Sequence, residues 1–346
     1  MTGFAGVLVR LIGETNLRLL GLLAILTIVF GSLVGNRLFG ELGLRSMASQ
    51  LPELGLLSLA MMVALLSAGL DLSVIATANL SALTVAFILT NVPATLSGPV
   101  AGWWQVGAVI AGILVAALVG LLNGTLIAYL RVSPILATLG TMTLVKGLAI
   151  GLTHGGVVSG FPPAIVFLGN GSMLGVPMPI IIFAAVALPL GILLSRTPFG
   201  IIVALAGSNE RAVRYSGIDT RRILLFVYLL CSAIASLAGL VMMARFNSAN
   251  AAYGDSYLLV TILACVLGGI SPMGGFGKVS GLVIALIILQ LISTACVLLN
   301  LSQFLTLSLW GGILIVVALG DAIKSRFAPV LLARRRPQSR PSAQGS

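Results

Sequence analysis

Few side chains in this 346-residue sequence have the types and spacing that chemistry requires. Asp71 is the only acidic residue between Glu53 and Glu210, and it lies in the apolar stretch AGLDLSV. A carboxylate in such surroundings can line a pore or gate, here together with Ser73, or it can cap a helix and fix a hinge. Both interpretations stay open. Lys146, the one cation of its apolar segment, is predicted to snorkel or to pair with a carbonyl.

Cysteine and histidine do not form a metal-binding or catalytic set. Cys231, Cys265 and Cys296 all lie inside apolar segments, as small buried hydrophobic residues do. The single histidine, His154, has no cysteine cluster near it in the sequence. We therefore predict no metal, no cofactor and no catalytic residue, because an intramembrane enzyme needs a convergent set of acids, histidines or ligands.

The composition is that of a protein embedded in a lipid bilayer. Hydrophobic residues make up 59% of the chain and charged residues 8%, whereas a soluble domain carries roughly 25% charged residues. The net charge of +11 comes from residues at the ends of apolar segments and in the C-terminal tail. This distribution predicts no nucleic-acid partner, since no basic patch with aromatic residues is present in the sequence.

Apolar segments recur along the chain at lengths suited to crossing a bilayer, which takes about 20 residues as a helix. The sequence predicts an all-α polytopic membrane protein of about ten transmembrane helices, in a single domain of residues 1–320 followed by a basic, disordered tail of residues 321–346. The predicted spans are 18–35, 53–69, 70–89, 105–122, 134–152, 178–195, 223–244, 257–270, 281–299 and 304–320. The charged segment 36–52 is predicted to form a short interfacial helix, and 155–177 a loop.

The positive charges predict the orientation of the spans. The connections 123–133, 196–222 and 271–280 carry net charges of +1, +3 and +1, and they fall on the same side as both termini. The connections on the other side each sum to zero. Because basic residues favour the cytoplasmic side, we expect the N- and C-termini in the cytoplasm.

The basic connection 196–222 contains a predicted amphipathic helix. Ser208 and Asn209 form a plausible N-cap, and Gly217 is suited to end a helix that begins at Glu210. Such a helix outside the membrane offers a surface to a soluble partner; the simpler alternative is a solvated connector whose arginines only fix topology. The residues proposed to form this surface are Asn209, Glu210, Arg211, Arg214, Ser216 and Gly217.

Two further stretches stand out by their small residues. Thr138, Thr141 and their neighbours place hydroxyl groups on the faces of one span, which suits tight helix packing or a polar path. The glycine-rich stretch 268–281 follows a short apolar run and predicts a broken or tightly packed segment. It lacks a Gly-Lys-Ser/Thr ending, and no strand precedes it, so it does not predict a phosphate-binding loop.

Three motifs together resemble the sugar permeases of bacterial ABC importers, the family that includes ribose, xylose and arabinose permeases. One is RTPFG with AGSN and SGI in the basic connection, and another is AGLDLSV, which departs from the family pattern at Ala68 and Ile75. The most specific is G-G-x-S-x-x-G-G-x-G, shared with the branched-chain amino-acid permeases. Its defining residues are Gly268, Gly269, Ser271, Gly274, Gly275 and Gly277.

The resemblance implies a multi-pass subunit of the bacterial inner membrane with several partners. These would be a separate ABC ATPase that receives the basic connection, a periplasmic substrate-binding protein, and a second permease subunit, identical or different. It implies import of a sugar or related polyol. Candidate residues of the pathway or gate are Asp71, Ser73, Thr138, Thr141 and Lys146.

Other classes of transporter remain as alternatives. The substrate could instead be a branched-chain amino acid or another small solute. A secondary transporter is disfavoured because ion coupling requires intramembrane carboxylates or histidines, and only Asp71 qualifies.

Overall fold

The computed structural model of the protein describes residues 14–91, 99–302, 304–316 and 319. The predicted disordered tail of residues 321–346 lies outside them. The described chain is mainly helical, and the helices are α1 Glu14–Val34, α2 Asn36–Phe39, α3 Glu41–Leu66, α4 Val74–Thr90, α5 Pro99–Ala128, α6 Pro134–Thr153, α7 Pro163–Asn170, α8 Met178–Arg196, α9 Pro198–Tyr215, α10 Thr220–Phe246, α11 Tyr257–Leu267, α12 Val279–Leu298 and α13 Phe304–Val316. Each of the ten predicted spans overlaps one of these helices.

Short strands lie at one end of the bundle. The strands are β1 Val158–Ser159, β2 Ser172–Met173, β3 Val176–Pro177 and β4 Ser248–Ala249. β1 pairs antiparallel with β4, and β2 with β3. We call this the hairpin end of the bundle, and the other the α9 end. The segment 155–177, predicted as a loop, therefore contains a helix and strands.

Seven helices are long and apolar enough to cross a membrane, among the residues that the structure describes. They are α1, α3, α5, α6, α8, α10 and α12. Helices α4, α11 and α13 are apolar but shorter. The architecture is thus an all-α polytopic membrane protein.

Helices α3 and α10 form the centre of the bundle. α10 packs against α3, α4 and α5, and α3 also packs against α8, α11 and α12. In the most apolar window of α3, 78% of the residues are buried by protein, whereas the figure for α1 is 6%. The rest of the chain therefore buries little of α1, whereas it encloses most of the apolar part of α3.

Residues 36–52 do not form the predicted interfacial helix. Only Asn36–Phe39 make a separate turn, and the chain from Glu41 onward belongs to α3, which continues through Pro52. With 26 residues α3 is about 39 Å long, more than the hydrocarbon core of about 30 Å. Its exposed first turns carry the ion pair of Glu41 with Arg45 at 2.9 Å, which explains the polar composition of this segment.

Helix α11 spans only part of the bundle. Its 11 residues rise about 16 Å, half the thickness of a hydrocarbon core. The turn before it folds back among the helices, because the Asn79 side chain in α4 donates hydrogen bonds to the carbonyls of Ala251 and Tyr253 at 3.1 and 2.8 Å. The predicted span 257–270 therefore contains a half-length helix, and two carbonyls of the irregular segment before it accept hydrogen bonds from Asn79.

Candidate functional site

Helix α9 is bent where the sequence predicts a cap. Its backbone leaves helical geometry at Asn209, whose φ and ψ are −158° and 89°. The Asn209 Oδ1 accepts a hydrogen bond from the amide of Ala212 at 3.1 Å, and Gly217 follows the helix at a φ of +79°. The predicted start and end of the short helix are confirmed. The sequence did not reveal that residues from Pro198 to Ser208 are helical as well.

Glu210 connects the second half of α9 to the start of α10. Its carboxylate forms an ion pair with Arg214 at 2.8 Å and accepts a hydrogen bond from the Thr220 hydroxyl at 3.0 Å. The Arg214 Nε also donates to Thr220 at 3.3 Å. Glu210 and Arg214 neutralise each other within the chain. Because both also bond Thr220 at the start of α10, they hold the two helices together at this angle. The side chains left for a partner lie elsewhere on this short helix.

The outward face of α9 carries exposed residues of mixed character. Arg211 and Ser216 are exposed, and Tyr215 is 93% exposed. Val203, Ala206 and Val213 lie on the opposite face, which is buried. An aromatic residue and a guanidinium group standing together on a surface are the types that protein interfaces favour.

The glycine-rich turn between α11 and α12 contacts both α9 and the end of α3. The amide of Gly275 donates a hydrogen bond to the Leu66 carbonyl at 3.0 Å. A Cβ on Gly207 would collide with that same carbonyl oxygen, and a Cβ on Gly274 would lie 2.8 Å from the Gly207 carbonyl oxygen. Three predicted motifs that are far apart in the sequence are thus in backbone contact at the α9 end.

The remaining residues of the glycine motif shape this turn. Gly269, Gly274 and Gly275 have φ values of +81°, +83° and +82°, a region that side chains disfavour. The amide of Ser271 donates to the Phe276 carbonyl at 2.9 Å. Gly268 and Gly277 lie against Leu282 and Ile270 with no room for a Cβ. The motif therefore forms a tightly packed turn.

In the connector 67–73 between α3 and α4, Asp71 belongs to a network of hydrogen bonds. The Asp71 Oδ1 accepts hydrogen bonds from the Ser73 amide at 3.0 Å and the Ser73 hydroxyl at 2.6 Å. The Asn123 side chain donates to the Ser73 hydroxyl at 2.8 Å, and the Thr138 hydroxyl donates to the Leu70 carbonyl at 3.0 Å. The structure thus brings Asp71, Ser73 and Thr138 together. Asn123 was not identified from the sequence as a member of this network, although its polar amide directly after an apolar run was a signal for a buried hydrogen bond.

The other pathway candidates on α6 lie apart from this network. Thr141 is buried on the helix, and Lys146 pairs with Asp255 at 2.6 Å. The prediction that Lys146 pairs with a carbonyl is wrong, because the turn before α11 brings a carboxylate to it, and its snorkelling stays a prediction. No local pattern indicates this contact, because the two residues are 109 positions apart.

A buried ion pair toward the hairpin end also escaped sequence reasoning. Glu53 on α3 is completely buried, and its carboxylate lies 3.0 Å from the Arg245 Nε at the end of α10. Arg245 also donates to the Ser49 carbonyl at 3.4 Å and covers the ring of Phe246 at 4.8 Å. A buried charge is costly unless it is paired, so Arg245 offsets part of the cost of burying Glu53 and links the two central helices.

Comparisons with known proteins point to one family. Residues 43–318 match the family described as branched-chain amino acid transport system / permease component. The chain is 34% identical over 308 residues to the ribose import permease protein RbsC of Bacillus subtilis, covering 88% of this chain and 92% of that protein.

Two further relatives are autoinducer 2 import system permease proteins LsrD. That of Salmonella typhi is 32% identical over 292 residues, covering 82% of this chain and 85% of its own length. That of Yersinia enterocolitica is 31% identical over 277 residues, covering 78% and 80%. No solved structure matches the chain.

Proposed function

Because the chain belongs to the family of branched-chain amino acid transport system permease components, we propose that it is the membrane-spanning subunit of an ATP-driven importer. The similarity to permeases for ribose and autoinducer 2 supports a sugar or related polyol as the substrate. The subunit works in the bacterial inner membrane with a second permease subunit, identical or different. A separate ABC ATPase supplies the energy, and a periplasmic binding protein delivers the solute.

One observation carries the proposed coupling: the part of α9 that directly precedes its exposed short helix is in backbone contact with the end of α3 and with the glycine-rich turn. Gly207, Gly275 and Leu66 leave no space between these segments. When an ATPase docked on Arg211 and Tyr215 moves, α9 transmits the displacement to α3, because close-packed backbones cannot deform independently. The connector 67–73 comes directly after α3 in the chain and joins it to α4.

Asp71 has the role of a hinge residue in this proposal. Its two hydrogen bonds from Ser73 hold the first turn of α4, and Asn123 and Thr138 attach the connector to α5 and α6. The connector is thus continuous with α3 and α4 and is hydrogen-bonded to α5 and α6. A shift at α9 therefore reaches Thr138 and the faces of α6 that line the candidate path, including Thr141 and Lys146.

The charges at the two ends of the bundle support the orientation. The α9 end carries Arg131, Lys278 and the five arginines of residues 196–222, whereas Glu53, Arg245, Lys146 and Asp255 neutralise one another toward the hairpin end. The α9 end accordingly faces the cytoplasm. Ten crossings then place both termini and the basic tail in the cytoplasm, with residues 1–320 as one permease domain.

Reconstituted vesicles test this function. The chain is purified with its cognate ATPase and binding protein, and uptake of D-ribose, D-xylose, L-arabinose and D-galactose is measured. We expect uptake of one of these sugars. This uptake should require ATP on the cytoplasmic side of the complex and should persist when a protonophore is added. Uptake that continues without the ATPase and stops with a protonophore would instead identify a secondary transporter.

The family description favours one further candidate substrate class, the branched-chain amino acids. The same vesicles separate the two by competition. ATP-dependent uptake of leucine or isoleucine, unaffected by an excess of the four sugars, would overturn the assignment of a sugar.

A further inference from the structure

A cavity of about 520 Å³ lies between α3, α11, α12 and α13, in the half of the bundle nearer the hairpin end. This volume is within the range of about 300–1,000 Å³ typical of small-molecule sites. The polar and aromatic residues around it are Gln50, Ser256, Tyr257, Gln290, Thr306 and Trp310. None of the described residues that line it carries a charge.

Gln290 is the best-fixed polar group of the cavity. Its side chain is 5% exposed, and its amide nitrogen donates to the Gln50 carboxamide at 3.3 Å and to the Thr294 hydroxyl at 3.2 Å. Two carboxamides on facing helices present both donors and acceptors. Both carboxamides also line the cavity, so a solute inside it can reach their hydrogen-bonding groups.

The start of α11 lies between this cavity and a second one. Ser256 and Tyr257 line both, and the second, of about 500 Å³, is also lined by Phe246, Ser248 and Tyr253. The Ser248 and Tyr253 hydroxyls lie 2.9 Å apart there. Hydroxyl groups and aromatic rings thus continue from one cavity to the other around the half-length helix.

We propose that the cavity around Gln290 is a contact site for the transported solute, and that the solute is neutral and rich in hydroxyl groups. Carboxamides and hydroxyls can donate to and accept from each hydroxyl of a sugar, and aromatic rings cover its apolar faces. A zwitterionic amino acid would instead require charged partners, which the lining residues do not supply. The inference rests on the proposed import function and specifies where within this subunit the sugar is recognised.

The first test uses the Gln290→Leu variant in the complete importer, with whichever of D-ribose, D-xylose, L-arabinose and D-galactose the unaltered complex takes up best. Loss of a neutral hydrogen bond corresponds to about a three- to tenfold rise in KM. We expect this rise with unchanged copurification of the ATPase. Gln105→Leu, a change on α5 that does not line the cavity, should leave KM unaltered.

The second test does not depend on the tolerance of Gln290 to substitution. Ser293 lines the same cavity, and the native cysteines Cys231, Cys265 and Cys296 are buried. We expect a water-soluble methanethiosulfonate reagent to label Ser293→Cys above the level of the unsubstituted chain, and saturating sugar to slow the labelling at least threefold.

Two results would overturn the site. In one, Ser293→Cys reacts only with a lipid-soluble maleimide, which would mean that the cavity opens to the bilayer. In the other, a sugar that the complex demonstrably transports does not slow the labelling of Ser293→Cys, and the KM for that sugar is the same in Gln290→Leu as in the unaltered complex. If the unaltered complex takes up none of the four sugars, the proposed function fails and the site fails with it.

Discussion

Gly207 and Leu66 are in contact through their backbones, at the point where Gly275 donates its amide hydrogen bond to the Leu66 carbonyl. This contact ties the α9 end, where we propose that an ATPase docks, to the end of α3. It requires a glycine at position 207, since a Cβ there would displace a carbonyl oxygen that already accepts a hydrogen bond.

Gly207→Ala should weaken both folding and transport. The added methyl group meets backbone rather than a flexible side chain, and overpacking of this kind costs about 1–3 kcal/mol. We expect a lower melting temperature in detergent and reduced ATP-driven uptake. Gly107→Ala on α5 is the matched control, because a Cβ there meets nothing within 4 Å. Equal behaviour of the two variants would show that the contact does not matter.

Substitutions of exposed residues on the outward face of α9 should weaken binding of the ATPase. Arg211 and Tyr215 are exposed, so Arg211→Glu and Tyr215→Ser are expected to reduce copurification of the ATPase while the melting temperature of the isolated permease stays the same. Arg37→Glu, an exposed arginine near the hairpin end, serves as the control. Normal copurification and coupling in both α9 variants would leave residues 196–222 as a topological connector.

Glycine at position 217 should be replaceable only by a residue that tolerates positive φ. Its φ of +79° costs a β-branched residue roughly 1 kcal/mol or more, whereas asparagine is accepted at helix ends. Gly217→Val is therefore expected to reduce substrate-stimulated ATP hydrolysis, and Gly217→Asn to retain most of it. If valine is tolerated as well as asparagine, the end of this helix does not contribute to coupling.

Substitutions at Asp71 distinguish a hinge from a gate. Asp71→Asn keeps the oxygen that accepts both hydrogen bonds from Ser73, whereas Asp71→Ala removes it and leaves buried donors unpaired, at a cost of about 1–3 kcal/mol. We expect uptake to survive in the asparagine variant and to fall in the alanine variant, together with thermal stability. Loss of uptake in a stable Asp71→Asn protein would identify the charge itself as functional.

Reporter fusions test the orientation of the bundle. Fusions after Gly160 and Asn250, at the hairpin end, should report a periplasmic location, as should one after Asn91. A fusion after Asn209, within α9, should report the cytoplasm. A periplasmic signal at Asn209 would remove the basis for docking an ATPase there.

Much of the helical architecture was predictable because apolar length alone determines it. The runs ending near Leu66 and beginning near Val279 were recognisable without tertiary information, and the cap at Asn209 follows from its own side chain. The three family motifs also marked the segments that meet at the α9 end.

The pairings between distant charges could not be read from the sequence. Glu53 finds Arg245 and Lys146 finds Asp255 only because the folded helices bring them together, and neither pair leaves a periodic pattern. The same holds for Asn123 in the Asp71 network. The merging of residues 41–66 into one helix was missed because its charged first turns resemble an interfacial segment.

The half-length of α11 has a consequence for how the chain enters the membrane during synthesis. Eleven residues are too few to partition as an independent span, which takes about 17–25. The carbonyls of the preceding turn are satisfied by Asn79, made 172 residues earlier than Ala251. This segment therefore completes its hydrogen bonds only by packing against α4, a helix that is synthesised long before it.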